Sequence, residues 1–251
     1  MVVAGNDIAR KNRKIKMINI SISENIKYIN LKINAAALKS GRHFSDITLL
    51  AASKTRTADE ITEAARSGIK VFGENYVQEF LSKFETLSQN KDIIWHIIGR
   101  LQKNKVKYII GKVDMIHSVD DIELAEIIEK HSAAKNITSN ILIEVNLAGE
   151  KTKGGILPEK LTGLISEINK FRHIKAAGLM TMPPLESGSR KYFKHLKELI
   201  DEINLKSVYK EKLSVLSMGT SGDFEAAIEE GATIIRLGTV IFGIRPPKLK
   251  K

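Results

Sequence analysis

The stretch LSMGTSGDFEAAIEEGATIIRLGTVIFG, Leu216 to Gly243, decides how the rest of the chain is read. An apolar run, Leu213 to Leu216, passes into the loop Ser217-Met218-Gly219-Thr220-Ser221-Gly222, and a helical pattern follows from Asp223 to Glu230. A second apolar run, Thr233 to Leu237, carries Arg236 near its end and is followed at once by Gly238 and Thr239. Strand, loop, helix and strand thus succeed one another. The backbone N–H groups of a Ser/Gly loop and the dipole of the helix behind it favour an anion. A glycine after the second strand lets backbone approach a ligand closely. Each half alone fits ordinary helix capping. The two in succession, with an arginine beside them, point to an anion site.

The same alternation runs outward through the chain. A helix from about Ser23 to Lys39, with Ile22, Ile26, Ile29 and Ile33 at helical spacing, comes first. ITLLAAS, Ile47 to Ser53, reads as the first strand; Thr57 and Glu60 then have capping-box spacing, and Gly68 closes the helix they open. Further strands are expected at Lys70 to Phe72, Ile93 to Ile98, Val113 to His117, Asn140 to Asn146, Ile174 to Met180, Leu213 to Ser217 and Thr233 to Leu237. They are mostly continuous apolar runs, as expected of strands buried on both faces. Eight strands alternating with helices predict an α/β chain folded as a single (β/α)8 TIM barrel. An open doubly wound sheet is the alternative, but no Gly-x-Gly-x-x-Gly follows the first strand.

Composition narrows the function classes. A chain of 251 residues with 43% hydrophobic and 27% charged content can bury a large core, and barrels of this size are commonly one domain. The barrel is expected over residues 22–251, behind a flexible N-terminal extension over 1–21. Zero cysteines exclude disulfides, thiolate nucleophiles and cysteine-based zinc sites. The six histidines, His43, His96, His117, His131, His173 and His195, form no His-x-x-x-His pair, and no metal is expected. The net charge of +11 raises nucleic-acid binding, and Arg10, Lys11, Arg13, Lys14 and Lys16 concentrate part of it in the first 16 residues. The remaining cations are spread along helices and aromatics make up only 6%, unlike a clustered recognition surface, so no nucleic-acid partner is expected. No apolar run approaches the roughly 18 residues of a bilayer span, and the start lacks the apolar region of a secretory signal. A cytoplasmic monomer with no membrane partner is expected.

In such a barrel the functional groups sit at the C-terminal ends of the strands. Those positions are Ser53-Lys54-Thr55, Gly73-Glu74-Asn75-Tyr76, Gly99-Arg100-Leu101-Gln102, His117-Ser118, Asn146 with the loop to Gly155, Met180-Thr181-Met182, Ser217 to Gly222 and Arg236 to Thr239. Closure makes the first and last strands neighbours, roughly 5 Å apart laterally, which brings Lys54 beside Arg236. A lysine, an anion cradle and an arginine are the parts needed to hold pyridoxal 5′-phosphate. A partly desolvated lysine near cationic groups is held toward the neutral amine that attacks an aldehyde, giving a Schiff base. An arginine at the pyridine nitrogen, in place of an aspartate, weakens the cofactor as an electron sink. Alone, Lys54 is an ordinary surface lysine; only its rim position and the anion site single it out. Trp95, Met180 and Met182 read as packing, and His96 and His117 as satisfied polar groups. Gly73-Glu74-Asn75 fits both a turn capped by asparagine and a ligand contact. Lys153-Gly154-Gly155 reads as a mobile loop or as a basic rim loop touching phosphate.

AASKT (Ala51 to Thr55), FGENYVQE (Phe72 to Glu79), WHIIGRLQKNK (Trp95 to Lys105), IHSVD (Ile116 to Asp120), GLMTMPP (Gly178 to Pro184) and the Leu216 to Gly243 stretch closely resemble the pyridoxal phosphate homeostasis (YggS/PROSC) family. The resemblance covers essentially Ile22 to Gly243. It implies a PLP-binding barrel like the N-terminal domain of alanine racemase, and a role in vitamin B6 homeostasis without established turnover. It further implies that Lys54 is the Schiff-base lysine, that Asn75 lies in the pocket and that Arg236 faces the pyridine nitrogen. Ser217, Ser221, Gly238 and Thr239 would contact the phosphate, and apo forms of PLP-dependent enzymes would be acceptors. Arg100, Lys103, Thr220 and Thr57 depart from the commonest family pattern. The alternative is an amino-acid racemase. Alanine racemases bring a second base, a tyrosine, from an additional β-domain. This chain ends at Lys251 shortly past the barrel, so Tyr76 or another rim group would have to substitute.

Overall fold

Eight parallel strands pair in sequence order and close on themselves. They are β1 Thr48–Ala52, β2 Val71–Glu74, β3 Ile94–Ile97, β4 Met115–Val119, β5 Ser139–Glu144, β6 Ile174–Met180, β7 Val215–Ser217 and β8 Ile234–Leu237. Helix α1, Ile22–Lys39, precedes them, followed by α2 Ala58–Arg66, α3 Val77–Thr86, α4 Val106–Ile109, α5 Ile122–Ala134, α6 Pro158–Ile168, α7 Arg190–Leu205, α8 Phe224–Glu229 and α9 Thr239–Phe242. This is the (β/α)8 barrel that the alternation predicts. The computed structural model describes residues 21–150, 152–184 and 188–244. The extension expected over 1–21 lies outside the described residues, except for Ser21, which caps α1. Among the described residues no helix is long and apolar enough to cross a membrane.

Local chemistry explains the element ends. Ser21 accepts the Glu24 N–H while Glu24 accepts the Ser21 N–H, both at 3.2 Å, and Thr57 and Glu60 form the same reciprocal box ahead of α2. Each such cap contributes about 1 kcal/mol. Helix α1 then buries Ile26, Ile29, Ile33, Ala36 and Ala37 and packs on α8 and α9, where Asn25 Nδ2 donates to the Ile241 carbonyl at 3.0 Å.

Strand alternation divides the core into two layers. Outward-facing strand residues pack under the helices, as Phe72 and Trp95 do beneath Phe80 of α3, with ring centroids 6.0 and 5.7 Å apart around the tryptophan. Leu50, Val71, Met115, Leu142, Met180 and Ile234 form a separate apolar cluster in the lumen. Two residues further along the same faces stand Ala52, Gly73, His117, Glu144 and Arg236, so the lumen turns polar toward its C-terminal mouth. Most strand ends shift by one or two residues from the expected ones, and two strands, β2 and β4, run beyond their expected C-terminal ends. β2 runs on through Gly73 and Glu74, paired with His96 and Ile97 of β3, and a Cβ at Gly73 would lie 2.5 Å from Leu50 Cδ2 and 2.9 Å from Ile98 Cδ1. That glycine makes room in the lumen and does not mark a turn. β4 begins at Met115 and continues past His117 to Val119, carried by buried residues throughout.

Candidate functional site at the barrel mouth

The closing pair of strands sets the geometry. β1 and β8 run side by side with Leu50 opposite Arg236 and Ala51 opposite Leu237. Lys54, two residues beyond β1, has the parity of the lumen-facing Leu50. The next residue, Thr55, has φ of 66°, a left-handed conformation costly for a β-branched side chain. A polar network behind the turn holds it there. The Thr55 N–H donates to Glu79 Oε1, and Lys83 Nζ donates to the Ser53 carbonyl, Glu74 Oε1 and Glu79 Oε1, each at 2.7 Å. Ser53 Oγ donates to Glu74 Oε1 at 2.6 Å. Burial pushes the Glu74 carboxyl up although the Lys83 ammonium opposes it. From the other side, Arg56 donates to the Gly243 carbonyl at 2.5 Å and lies over the Phe242 ring, tying the turn to α9. Both residues flanking Lys54 are therefore held from behind, Ser53 by β2 and α3 and Thr55 by α3.

The two glycine-bearing loops after β7 and β8 meet beside this turn. Ser221 Oγ accepts the Gly238 N–H at 3.4 Å, and the Gly219 carbonyl accepts the Arg236 N–H at 3.0 Å. Gly219 has φ of 91°, and a Cβ there would stand 2.5 Å from Ala227 Cβ, so no other residue fits without moving α8. Thr220 binds Asp223 Oδ1 through its N–H at 2.6 Å and its hydroxyl at 3.0 Å. The Ser221, Gly222 and Thr239 N–H groups donate to no partner among the described residues. They are the donors an anion needs.

Arg236 is buried in the lumen, where Nη1 donates to Ser217 Oγ at 2.6 Å and Nη2 to the Thr181 carbonyl at 2.8 Å. Burial lowers its pKa to about 10, with Glu144 and Asp223 opposing, so it stays cationic at neutral pH. Asn75 follows β2, and its Oδ1 is buried without a hydrogen-bond partner. The structure thus brings together Lys54, Asn75, Ser221, Arg236, Gly238 and Thr239 at one mouth. It places the Ser217 hydroxyl deeper, between Arg236 and His117 Nδ1 at 3.0 Å. Of the family departures, Thr57 is an N-cap, Thr220 closes the loop on Asp223, Lys103 pairs with Asp121 and Glu123, and Arg100 is exposed. The Lys153-Gly154-Gly155 loop is pinned by the Gly155 N–H on Asp120 Oδ2 at 3.0 Å and by Lys153 on Glu150 at 3.0 Å.

Glu144 was not singled out from the sequence, although a carboxylate inside the run ILIEVN signals an inward site. Burial first, and Asp120 second, raise its pKa from 4.5 to about 7, while Arg236 and Arg100 pull the other way. The unfolded chain releases this proton near 4.5 and the folded chain keeps it to about 7, so the fold loses stability as pH rises between these values. Glu144→Gln should remove that loss. Urea unfolding of the two proteins should agree near pH 4.5 and favour the variant at pH 8 by on the order of 2 kcal/mol, allowing for partial solvent screening. A difference independent of pH would refute the shift.

Residues 26–246 match the family model of the alanine racemase N-terminal domain. The pyridoxal phosphate homeostasis protein of Aquifex aeolicus is 49% identical over 225 residues, covering 88% of this chain and 97% of its own. The structure of PipY from Synechococcus elongatus with PLP bound superposes with a TM-score of 0.78 at 31% identity, covering 89% of this chain and 100% of its own. Alanine racemase from Clostridium difficile shares the fold, with a TM-score of 0.65 at 16% identity over 87% of this chain and 60% of its own. The chain belongs to the alanine racemase N-terminal domain family and, within it, to the pyridoxal phosphate homeostasis proteins.

Proposed function

We propose that this chain binds pyridoxal 5′-phosphate and serves vitamin B6 homeostasis, holding the cofactor for acceptor enzymes without significant turnover of its own. The observation that carries this is the convergence at one mouth of Lys54, a two-loop cradle with unused N–H donors, and a buried arginine. Each part fits a separate group of the cofactor. Ser221, Gly222, Gly238 and Thr239 would hold the phosphate, with Ser217 beneath them. Lys54 would bind the aldehyde carbon, and Arg236 would face the ring nitrogen. Asn75 offers an unpaired acceptor beside them. When bound, the cofactor supplies an electrophilic carbon and a conjugated ring that can take up electrons. Arg236 remains protonated to about pH 10 and therefore cannot pass a proton to the ring nitrogen readily at neutral pH. That disfavours carbanion chemistry and favours storage over racemisation. The working location is the cytoplasm, as a monomer.

Incubation of the PLP-loaded protein with L-amino acids in heavy water tests this reading. Negligible α-hydrogen exchange and no D-isomer are expected, and deletion of the gene should disturb cellular B6 pools. Exchange on the order of 1 s⁻¹ or faster that disappears in Lys54→Ala would make this a racemase or a related enzyme.

A further inference from the structure

Four side chains link Arg236 to the far end of the lumen. Arg236 Nη1 lies 2.6 Å from Ser217 Oγ, Ser217 Oγ lies 3.0 Å from His117 Nδ1, and a nitrogen–nitrogen distance of 2.9 Å joins His117 Nε2 to His96 Nδ1. His96 Nε2 lies 3.4 Å from Asp114 Oδ2, too oblique for a good hydrogen bond but close enough for charge to matter. Ser217 and His117 are fully buried and His96 is nearly so, while the Asp114 side chain is half exposed. Asp114 precedes β4, so it sits at the N-terminal end of the barrel, opposite the mouth. His117 on β4 reaches across the lumen to Ser217 on β7.

We propose that His117 and His96 are positioning residues for Arg236, forming with Ser217 a hydrogen-bond chain of fixed direction that runs from the arginine to His96, whose far nitrogen faces Asp114. The direction follows from the first link. A guanidinium only donates, so Ser217 Oγ accepts, and its own hydroxyl hydrogen needs an acceptor. His117 Nδ1 is that acceptor and must be unprotonated. The ring then carries its hydrogen on Nε2 and donates to His96 Nδ1, which leaves the His96 hydrogen on Nε2, facing the Asp114 carboxylate. Burial, His96 and Arg236 all hold His117 well below its ordinary pKa, in keeping with a neutral ring. The contact with His96 holds Asp114 low, as a carboxylate facing an N–H would be. Two apolar side chains would fill the same lumen but leave the Ser217 hydroxyl free to turn away from Arg236. The histidines thereby fix where the guanidinium points its remaining N–H groups. This role rests on the reading that those groups meet the ring nitrogen of the cofactor.

Two measurements test it. In apoprotein labelled with ¹⁵N-histidine, the nitrogen shifts at pH 7 should show a neutral His117 with its hydrogen on Nε2, and His96 with hydrogen on Nε2 and none on Nδ1. Hydrogen on Nδ1 of either ring, or a protonated His117, would overturn the chain. In PLP-loaded protein, His117→Phe keeps the ring volume without an acceptor, while His117→Asn keeps a polar atom at the Nδ1 position. Retention of PLP in dialysis should fall about tenfold in His117→Phe, the loss expected for one mispositioned charged donor, with a moved absorbance band. His117→Asn should restore both. Equal retention by His117→Phe and wild type would overturn the positioning role. Should that variant not fold, His117→Leu removes the same acceptor and is read the same way. A wild-type protein that retains no PLP would overturn the cofactor reading and the positioning role together, and the apoprotein spectra would still decide the chain.

Discussion

Lys54→Ala, loaded with pyridoxal phosphate, should lose the absorbance band that a lysine-bound cofactor gives wild type, and borohydride should add no cofactor mass to the peptide containing position 54. The effect is all or none because a covalent link is present or absent. Among the described residues no other lysine follows β1 at this turn. Lys83, on α3 behind the turn, has its ammonium committed to one carbonyl and two carboxylates. The cradle loops and Arg236 are untouched by the change, so the variant should still take up PLP reversibly and release it on dialysis. A band unchanged in Lys54→Ala, or cofactor mass found on another lysine in wild type, would remove Lys54 from its role.

The parts of this site that were legible in the sequence are those whose meaning is local. A Ser/Gly loop opening a helix, an Arg-Leu-Gly-Thr strand end and a lysine after an apolar run each show their chemistry in a few residues. Barrel closure then supplies the single long-range step, the β1–β8 contact, and strand counting is enough to infer it. The illegible parts are relations between side chains far apart in the chain. Ser217 and His117 are 100 residues apart and meet only because opposite strands face one lumen. Glu74 and Lys83 are on a strand and the helix after it, and their pairing depends on which face of β2 turns outward. The parity of β2 was itself obscured, because Gly73 reads as the end of a strand when it is a vacancy for Leu50 and Ile98. His96, Glu144 and Arg236 had one signal in common, a polar residue inside an apolar strand run. Of the three only Arg236 has a glycine loop directly after it to mark it as part of a site.

Arg236→Gln should weaken PLP retention by about 10- to 100-fold, the value of one hydrogen bond from a charged donor. The same change should leave the apoprotein no less stable, and this contrast separates a binding role from a structural one. Removing a buried guanidinium from water costs several kcal/mol unless a carboxylate repays it. Here its hydrogen-bond partners are a hydroxyl and a carbonyl, and the nearby Glu144 is itself held toward its neutral form up to about pH 7. The lowered pKa of Arg236 has the same origin, burial outweighing Glu144 and Asp223. A cation kept at such cost is explained by a ligand that completes its partners, as strained or uncompensated groups commonly are at functional sites. Thermal unfolding without PLP should therefore give Arg236→Gln a midpoint equal to or above that of wild type, and saturating PLP should reverse the order. Retention equal to wild type in PLP-free dialysis would sink the binding role. An apoprotein destabilised by several kcal/mol would show instead that the arginine holds Ser217 and Thr181 together for the fold's sake.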